Sequence, residues 1–337
     1  MKKTPDISKQ IYKEEVLSVL EDKYSIIGPY WSSAQLEWLN GSFRAFNDHD
    51  KYLIIIYLKK KTLDFYSRNF IKFTYDEFYK KSSFEIEKLS VKEISMDLNI
   101  PKESTRRKID ELQKEGIIKK SKNRFIIDRS MYTGVTGSKW DNSKNLWYLT
   151  KPVKTIQRIS RFLSKLSQVL EEDKILPQSF KSEDIETIIK KNFSYTWKLY
   201  YEFEIPLMIK WKFLFNDLES FHIWGICAVN DQINNTINNI SINNREDFIS
   251  DMFKLNDIKY KGINAMSVSD ISGIPRATVI RKLNKLVKNN FLIINNQKHY
   301  KVKRSQLKKT MSIHKDGVNQ LANFSQLIYN IIIANED

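Results

Sequence analysis

Cysteine is almost missing from this chain of 337 residues: Cys227 stands alone, so no disulfide can form within the chain and no thiolate cluster for zinc can be assembled. That usage predicts a reducing, cytoplasmic setting. Histidine is scarce too, and His49, His222, His299 and His314 are scattered with no second ligand at metal spacing, so a metal centre is not expected. Nine glycines and seven prolines are too few for a collagen-like or low-complexity chain. The longest apolar runs, Tyr52 to Leu58 and Ile331 to Ala334, fall far short of the roughly 20 residues that cross a bilayer, so no membrane partner is expected. The basic opening "MKKTPDISKQIYKEE" leads into no apolar stretch, which predicts no secretory signal. Glycine-rich phosphate loops, GxSxG and HExxH are all lacking, and the expectation is a non-enzyme with no cofactor. Cys227 and His222 could be read as nucleophile and base, but "FHIWGICAV" reads as a buried apolar helix in which a lone cysteine simply packs.

Acid is in deficit. Fifty-six Lys and Arg face forty Asp and Glu, a formal charge of +16, and such an excess attracts polyanions, nucleic acid first and an anionic membrane surface second. The length exceeds one ordinary core and predicts two domains.

What is abundant is repetition. "NIPKESTRRKIDEL", Asn99 to Leu112, superposes without a gap on "GIPRATVIRKLNKL", Gly273 to Leu286, at an offset of 174 with Ile274 on Ile100. Arg107 and Lys108 fall on Arg281 and Lys282. Around the first copy, Ile94, Leu98 and Ile100 suit a short helix and turn, and Thr105, Ile109 and Leu112 form the inner stripe of a second helix. "GIIKKSKNRFIID" then reads as two short strands about a basic turn. Around the second, Val279, Leu283 and Leu286 form the stripe and "FLIINNQKHYKV" the hairpin. Helix, turn, helix and hairpin make a winged helix-turn-helix, with cores at 89–130 and 263–305 inside sequence halves 1–175 and 176–337. The fold class expected is mainly α with small β-hairpin wings, two tandem winged units with flanking helices, arranged like a pseudo-dimer.

Flanking segments fill in the rest. "IIGPYW", Ile26 to Trp31, reads as a break; Asp48 reads as the cap of a long buried helix; Thr74 and Glu77 have capping-box spacing. "TIQRISRFLSKLSQVL" and "GVNQLANFSQLIYNII" read as closing helices. "EEDKILPQSFKSED" is the candidate junction, and the asparagine-biased stretch from Asn230 reads as an exposed loop.

A helix laid in the major groove keeps its inner stripe on the domain and frees its outer positions for base edges. The outward candidates are Arg276, Ala277, Ile280, Arg281 and Asn284 in the second copy, and Lys102, Glu103, Arg106, Arg107 and Asp110 in the first, where two acids predict a different readout. Lys119, Lys120, Lys122 and Arg124 in one hairpin, and Lys298, Lys301, Lys303 and Arg304 in the other, suit phosphate. From Ile263 to Lys309 Asp270 is the only acid, whereas acids are interspersed through the first copy.

"GIPRATVIRKLNKLVKNNFLI" resembles the core of bacterial winged-helix transcription regulators of the MarR and IclR types. The resemblance implies that the second helix reads the major groove through Arg276, Ala277, Ile280 and Arg281, with Lys102, Glu103, Arg106 and Arg107 as counterparts, and that flanking helices dimerise. The chain departs from those families in carrying two modules itself. The expected function is therefore a sequence-specific regulator whose partner is double-stranded DNA; a homodimer would present four modules. Two alternatives stand beside it: a plasmid-type replication initiator with tandem winged helices, and a winged-helix module for protein docking. Trp197, Tyr200, Tyr201, Phe203, Trp211, Phe213, Phe215 and Trp224 read as core, with a small-molecule effector pocket as their alternative use.

Overall fold

Apolar residues at helical spacing over long stretches make the protein mainly helical, and two short basic hairpins contribute to two small antiparallel sheets among the described residues. The computed structural model describes residues 9–80, 83–85, 89–121, 124–128, 152–237, 261–303 and 307–336. The order begins α1 (Lys13–Asp22), α2 (Tyr24–Phe46), α3 (His49–Arg68), α4 (Tyr75–Lys80), β1 (Ser83–Glu85), α5 (Val91–Asp97), α6 (Lys102–Lys114), β2 (Ile118–Ser121) and β3 (Arg124–Asp128). It continues α7 (Val153–Glu172), α8 (Ser182–Lys191), α9 (Phe193–Phe215), α10 (Leu218–Ile237), β4 (Ile263–Asn264), α11 (Ala265–Ser272), α12 (Arg276–Lys288), β5 (Leu292–Ile294), β6 (His299–Val302) and α13 (Leu307–Glu336). The strand orders are β1-β3-β2 and β4-β6-β5, the same arrangement twice, and in each the first strand is an addition to the expected hairpin.

The repeat reaches well beyond the two hairpin modules. Helices α1, α2 and α3 match α8, α9 and α10 at both ends with an offset of 169, and α6 matches α12 at 174. The turn between the long helices repeats as well. Phe46-Asn47-Asp48 and Phe215-Asn216-Asp217 place their asparagines at φ 53° and φ 67°, a left-handed conformation that asparagine tolerates. The aspartates then cap the next helix: Asp48 accepts from the Lys51 amide at 3.2 Å, and Asp217 from the equivalent Ser220 amide at 2.7 Å.

The break expected at Ile26 to Trp31 is not there. Pro29 lies inside α2, where the interior cost of about 3 kcal/mol for proline is outweighed by burial of Ile27, Trp31, Ala34, Trp38 and Leu39 along the same helix. The stretch from Asn230 is corrected in part: α10 runs to Ile237 with Asp231 and Gln232 buried, and the remainder lies outside the described residues. The capping box of Thr74 and Glu77 forms, with amide-to-side-chain bonds of 2.8 and 3.3 Å.

Packing divides the chain into two compact units. One holds Met1–Asn40, Thr155–Glu186 and Lys210–Asp337; the other holds Gly41–Lys154 and Thr187–Ile209. The divisions fall at matching places in α2 and α9, so each unit takes the first part of one long helix and the last part of the other. The sequence halves 1–175 and 176–337 are a different partition. In the second unit α3 is buried on every face from Leu53 to Leu58, and Tyr75, Phe78 and Phe193 form an aromatic cluster. In the first, Trp211 stacks on Phe221 with centroids 4.7 Å apart, and the Tyr329 hydroxyl donates to the Leu163 carbonyl at 2.5 Å. Among the described residues no helix is long and apolar enough to cross a membrane.

Candidate nucleic-acid interface

Helix α12 forms because Pro275, at φ −53°, holds the chain ready for the first turn, and because Val279, Leu283 and Leu286 then recur on one face and are buried. Pro101 does the same for α6, whose stripe is Thr105, Ile109 and Leu112. The turns before both helices are braced alike: Ser269 Oγ donates to the Ile274 carbonyl, and Ser95 Oγ to Ile100, each at 2.7 Å.

Opposite the buried stripes lie the outward candidates. Arg276, Ala277, Ile280, Arg281 and Asn284 are all exposed on α12, and Lys102, Glu103, Arg106, Arg107 and Asp110 are all exposed on α6. Their electrostatics differ. Arg106 reaches Glu103 at 3.2 Å and Arg107 reaches Glu111 at 3.7 Å, so α6 partly neutralises its own cations. Arg276, Arg281, Lys285 and Lys288 have no ion-pair partner among the described residues and stand open to solvent.

Lys108 and Lys282, aligned by the repeat, do a different job. Their side chains are only 10% exposed, and each ammonium pairs with the aspartate of the duplicated helix turn, Lys282 with Asp217 at 2.6 Å and Lys108 with Asp48. Burial alone would raise the Asp217 pKa, but hydrogen bonds from Lys282 and Ser220 outweigh it and hold the carboxyl below its usual value. The inner face of each candidate reading helix is thereby clamped to the start of a long helix, α3 or α10, which fixes how its outer face is presented. The sequence carried this signal in Phe-Asn-Asp at an offset of 169, hidden because the modules repeat at 174.

Further ties hold the modules. In the first, Lys51 of α3 bonds Glu111 at 2.8 Å and Glu115 at 2.9 Å, and the Tyr57 hydroxyl bonds Asp97 of α5. Burial works against the Lys51 ammonium, yet these two carboxylates outweigh it and raise its pKa, while the Lys51 bond lowers that of Glu111. In the second, the buried Asp231 carboxylate accepts the Val302 amide of β6 at 2.9 Å. This contact was not legible in a stretch that reads as polar loop.

The hairpins are less complete. Lys119 and Lys120 are exposed on β2. Lys122, the Arg124 side chain and Arg304 lie outside the described residues. Lys298 is exposed at the tip of the second hairpin with φ 58°, in a turn where Asn295 Oδ1 accepts the amides of Gln297 and His299 at 3.0 Å. Lys301 and Lys303 are half-buried on and just beyond β6, and the Lys303 ammonium donates to Asn290 at 2.7 Å.

Other sequence candidates resolve into packing. Seven of the eight aromatic residues considered for an effector pocket are buried and fall into two different units, and Phe213 is exposed. Cys227 is fully buried, which pushes its thiol up and away from the reactive thiolate, and His222 is bonded to Asn40 at 2.8 Å. Among the described residues no group of three or more metal-ligating side chains is gathered. Comparison with protein-family models, with curated proteins and with solved structures finds no match for this chain.

Proposed function

We propose that the chain is a sequence-specific regulator of double-stranded DNA, built from two tandem winged helix-turn-helix modules, with the module of α12 as the principal reader. The observation that carries this is the outer face of α12. Two arginines without ion-pair partners among the described residues, an asparagine and an isoleucine lie there beside a hairpin tipped by Lys298. Arginine takes guanine through two acceptors, asparagine takes adenine, and an aliphatic side chain lies against a thymine methyl. On α6 the acids Glu103 and Asp110 repel phosphate, and Glu103 and Glu111 hold Arg106 and Arg107, so the module of α6 binds more weakly.

The test is fluorescence anisotropy on random-sequence duplex over a salt series, followed by selection of a specific site. A slope of log affinity against log salt of about −5 or steeper is expected, since each phosphate contributes about 0.9. Arg281→Ala should weaken binding to the selected site at least about tenfold, the loss of one two-point base contact. The pair Arg106→Ala and Arg107→Ala should change it less than about threefold, as expected of side chains already held by acids. Absence of duplex binding at about 50 mM salt, where phosphate contacts are strong, would overturn the proposal.

A further inference from the structure

At the C-terminal end of α3 the chain does something costly. Phe70 sits at φ 56°, in the position of a helix-terminating turn that glycine or asparagine normally takes, with the Ile71 amide reaching back to the Tyr66 carbonyl at 2.9 Å and the Phe70 amide to Ser67 at 3.3 Å. Gly116 and Asn290 fill the same position at the ends of α6 and α12. A bulky aromatic in the left-handed region is strained. Burial does not compensate here, because Phe70 is 89% exposed.

What Phe70 does face is a cavity of about 410 Å³ within the second unit, in the size range of small-molecule sites. Its other walls come from the segment between α3 and α4, from α4 at Glu77, from the end of α8 at Lys191 and from the start of α9. The two are stitched together: the Ser194 amide donates to the Phe73 carbonyl at 3.0 Å, and the Phe73 amide to Ser194 Oγ at 3.0 Å. Phe73 and the 42% exposed Tyr195 add aromatic surface. Lys72 and Lys191 bring two exposed ammonium groups with no ion-pair partner among the described residues. The one carboxylate on the lining, Glu77, is committed to capping α4 through Thr74, and those bonds lower its pKa.

We infer that this cavity binds a small amphipathic anion, an aromatic body carrying a carboxylate, sulfonate or phosphate. The rings pack against Phe70, Phe73 and Tyr195 while the acid lies between Lys72 and Lys191. The left-handed turn itself ends α3; that a bulky aromatic stands there in place of glycine or asparagine is accounted for by its part in the cavity wall.

The probe is 8-anilinonaphthalene-1-sulfonate, titrated into the intact chain by fluorescence, against N-phenyl-1-naphthylamine, which has the same rings and no acid. Saturable binding of the sulfonate is expected, with the uncharged probe at least about tenfold weaker, one charged hydrogen bond's worth. Lys72→Glu with Lys191→Glu should weaken the sulfonate about tenfold or more by the same reasoning. Phe70→Gly separates a binding role from a folding role. Glycine relieves the backbone, so the melting temperature should rise by about 2 °C while sulfonate binding falls about tenfold. Lack of sulfonate binding, equal binding of both probes, binding untouched by the variants, or a melting temperature lowered by Phe70→Gly would each overturn the inference. None of these outcomes depends on whether the chain binds DNA.

Discussion

The pairing of Lys282 with Asp217 makes a quantitative demand. A fully buried ion pair loses about 3–5 kcal/mol when one partner is removed, and an exposed pair about 0–1 kcal/mol. Here the ammonium is 10% exposed and the carboxylate 26%, between those limits but nearer the buried one. Asp217→Asn keeps a good helix cap and removes only the charge, leaving the ammonium facing an amide, so about 2 kcal/mol should be lost. Lys282→Met keeps the length of the side chain and should cost about 1–2 kcal/mol. If the clamp is real the losses will not add, and a double-mutant cycle should return a coupling of about 1.5 kcal/mol. Urea unfolding followed by circular dichroism reads this directly. Because the folded pKa of Asp217 lies below its ordinary 3.8, the coupling should be full above that value and fade as pH falls through the lower folded value. A coupling under about 0.5 kcal/mol at neutral pH would show that the pair is incidental and would remove the argument for how α12 is presented.

Glu204 is fully buried with neither carboxyl oxygen hydrogen-bonded among the described residues, and burial pushes its pKa up to about 8 from 4.5. The folded state therefore holds a proton that the unfolded chain releases, so the contribution of Glu204 to stability is fully present below pH 4.5 and declines as pH rises toward 8. Melting temperatures at several pH values should show that decline in the native chain and a flatter profile for Glu204→Gln; parallel profiles would refute it. The composition of the compact units predicts that residues 1–175 and 176–337, made separately, each lack part of a long helix, 193–209 or 24–40, needed to complete a unit. Each piece should melt without cooperativity and the mixture should recover it, whereas a cooperatively melting 176–337 alone would sink that reading.

Local signals carried much of the secondary structure. Proline ahead of α6 and α12, the buried stripes, the cap at Asp48, the box at Thr74 and the two hairpins all depend on neighbours within a few residues, and that is the range over which sequence pattern acts. The outward positions on α6 and α12 were legible for the same reason, because helical periodicity fixes the outer face once the inner one is known.

Tertiary structure decided the rest. Whether Pro29 breaks a helix depends on how much apolar surface that helix buries, not on the proline itself. Lys108 and Lys282 look like two more basic residues in a basic run, and only the fold brings them to aspartates 60 and 65 residues earlier in the chain. Asp231 becomes the anchor of a strand 71 residues away. The assignment of the first part of α2 to one unit and its last turns to the other is likewise invisible locally, since both parts carry the same helical pattern and only long-range packing distinguishes them.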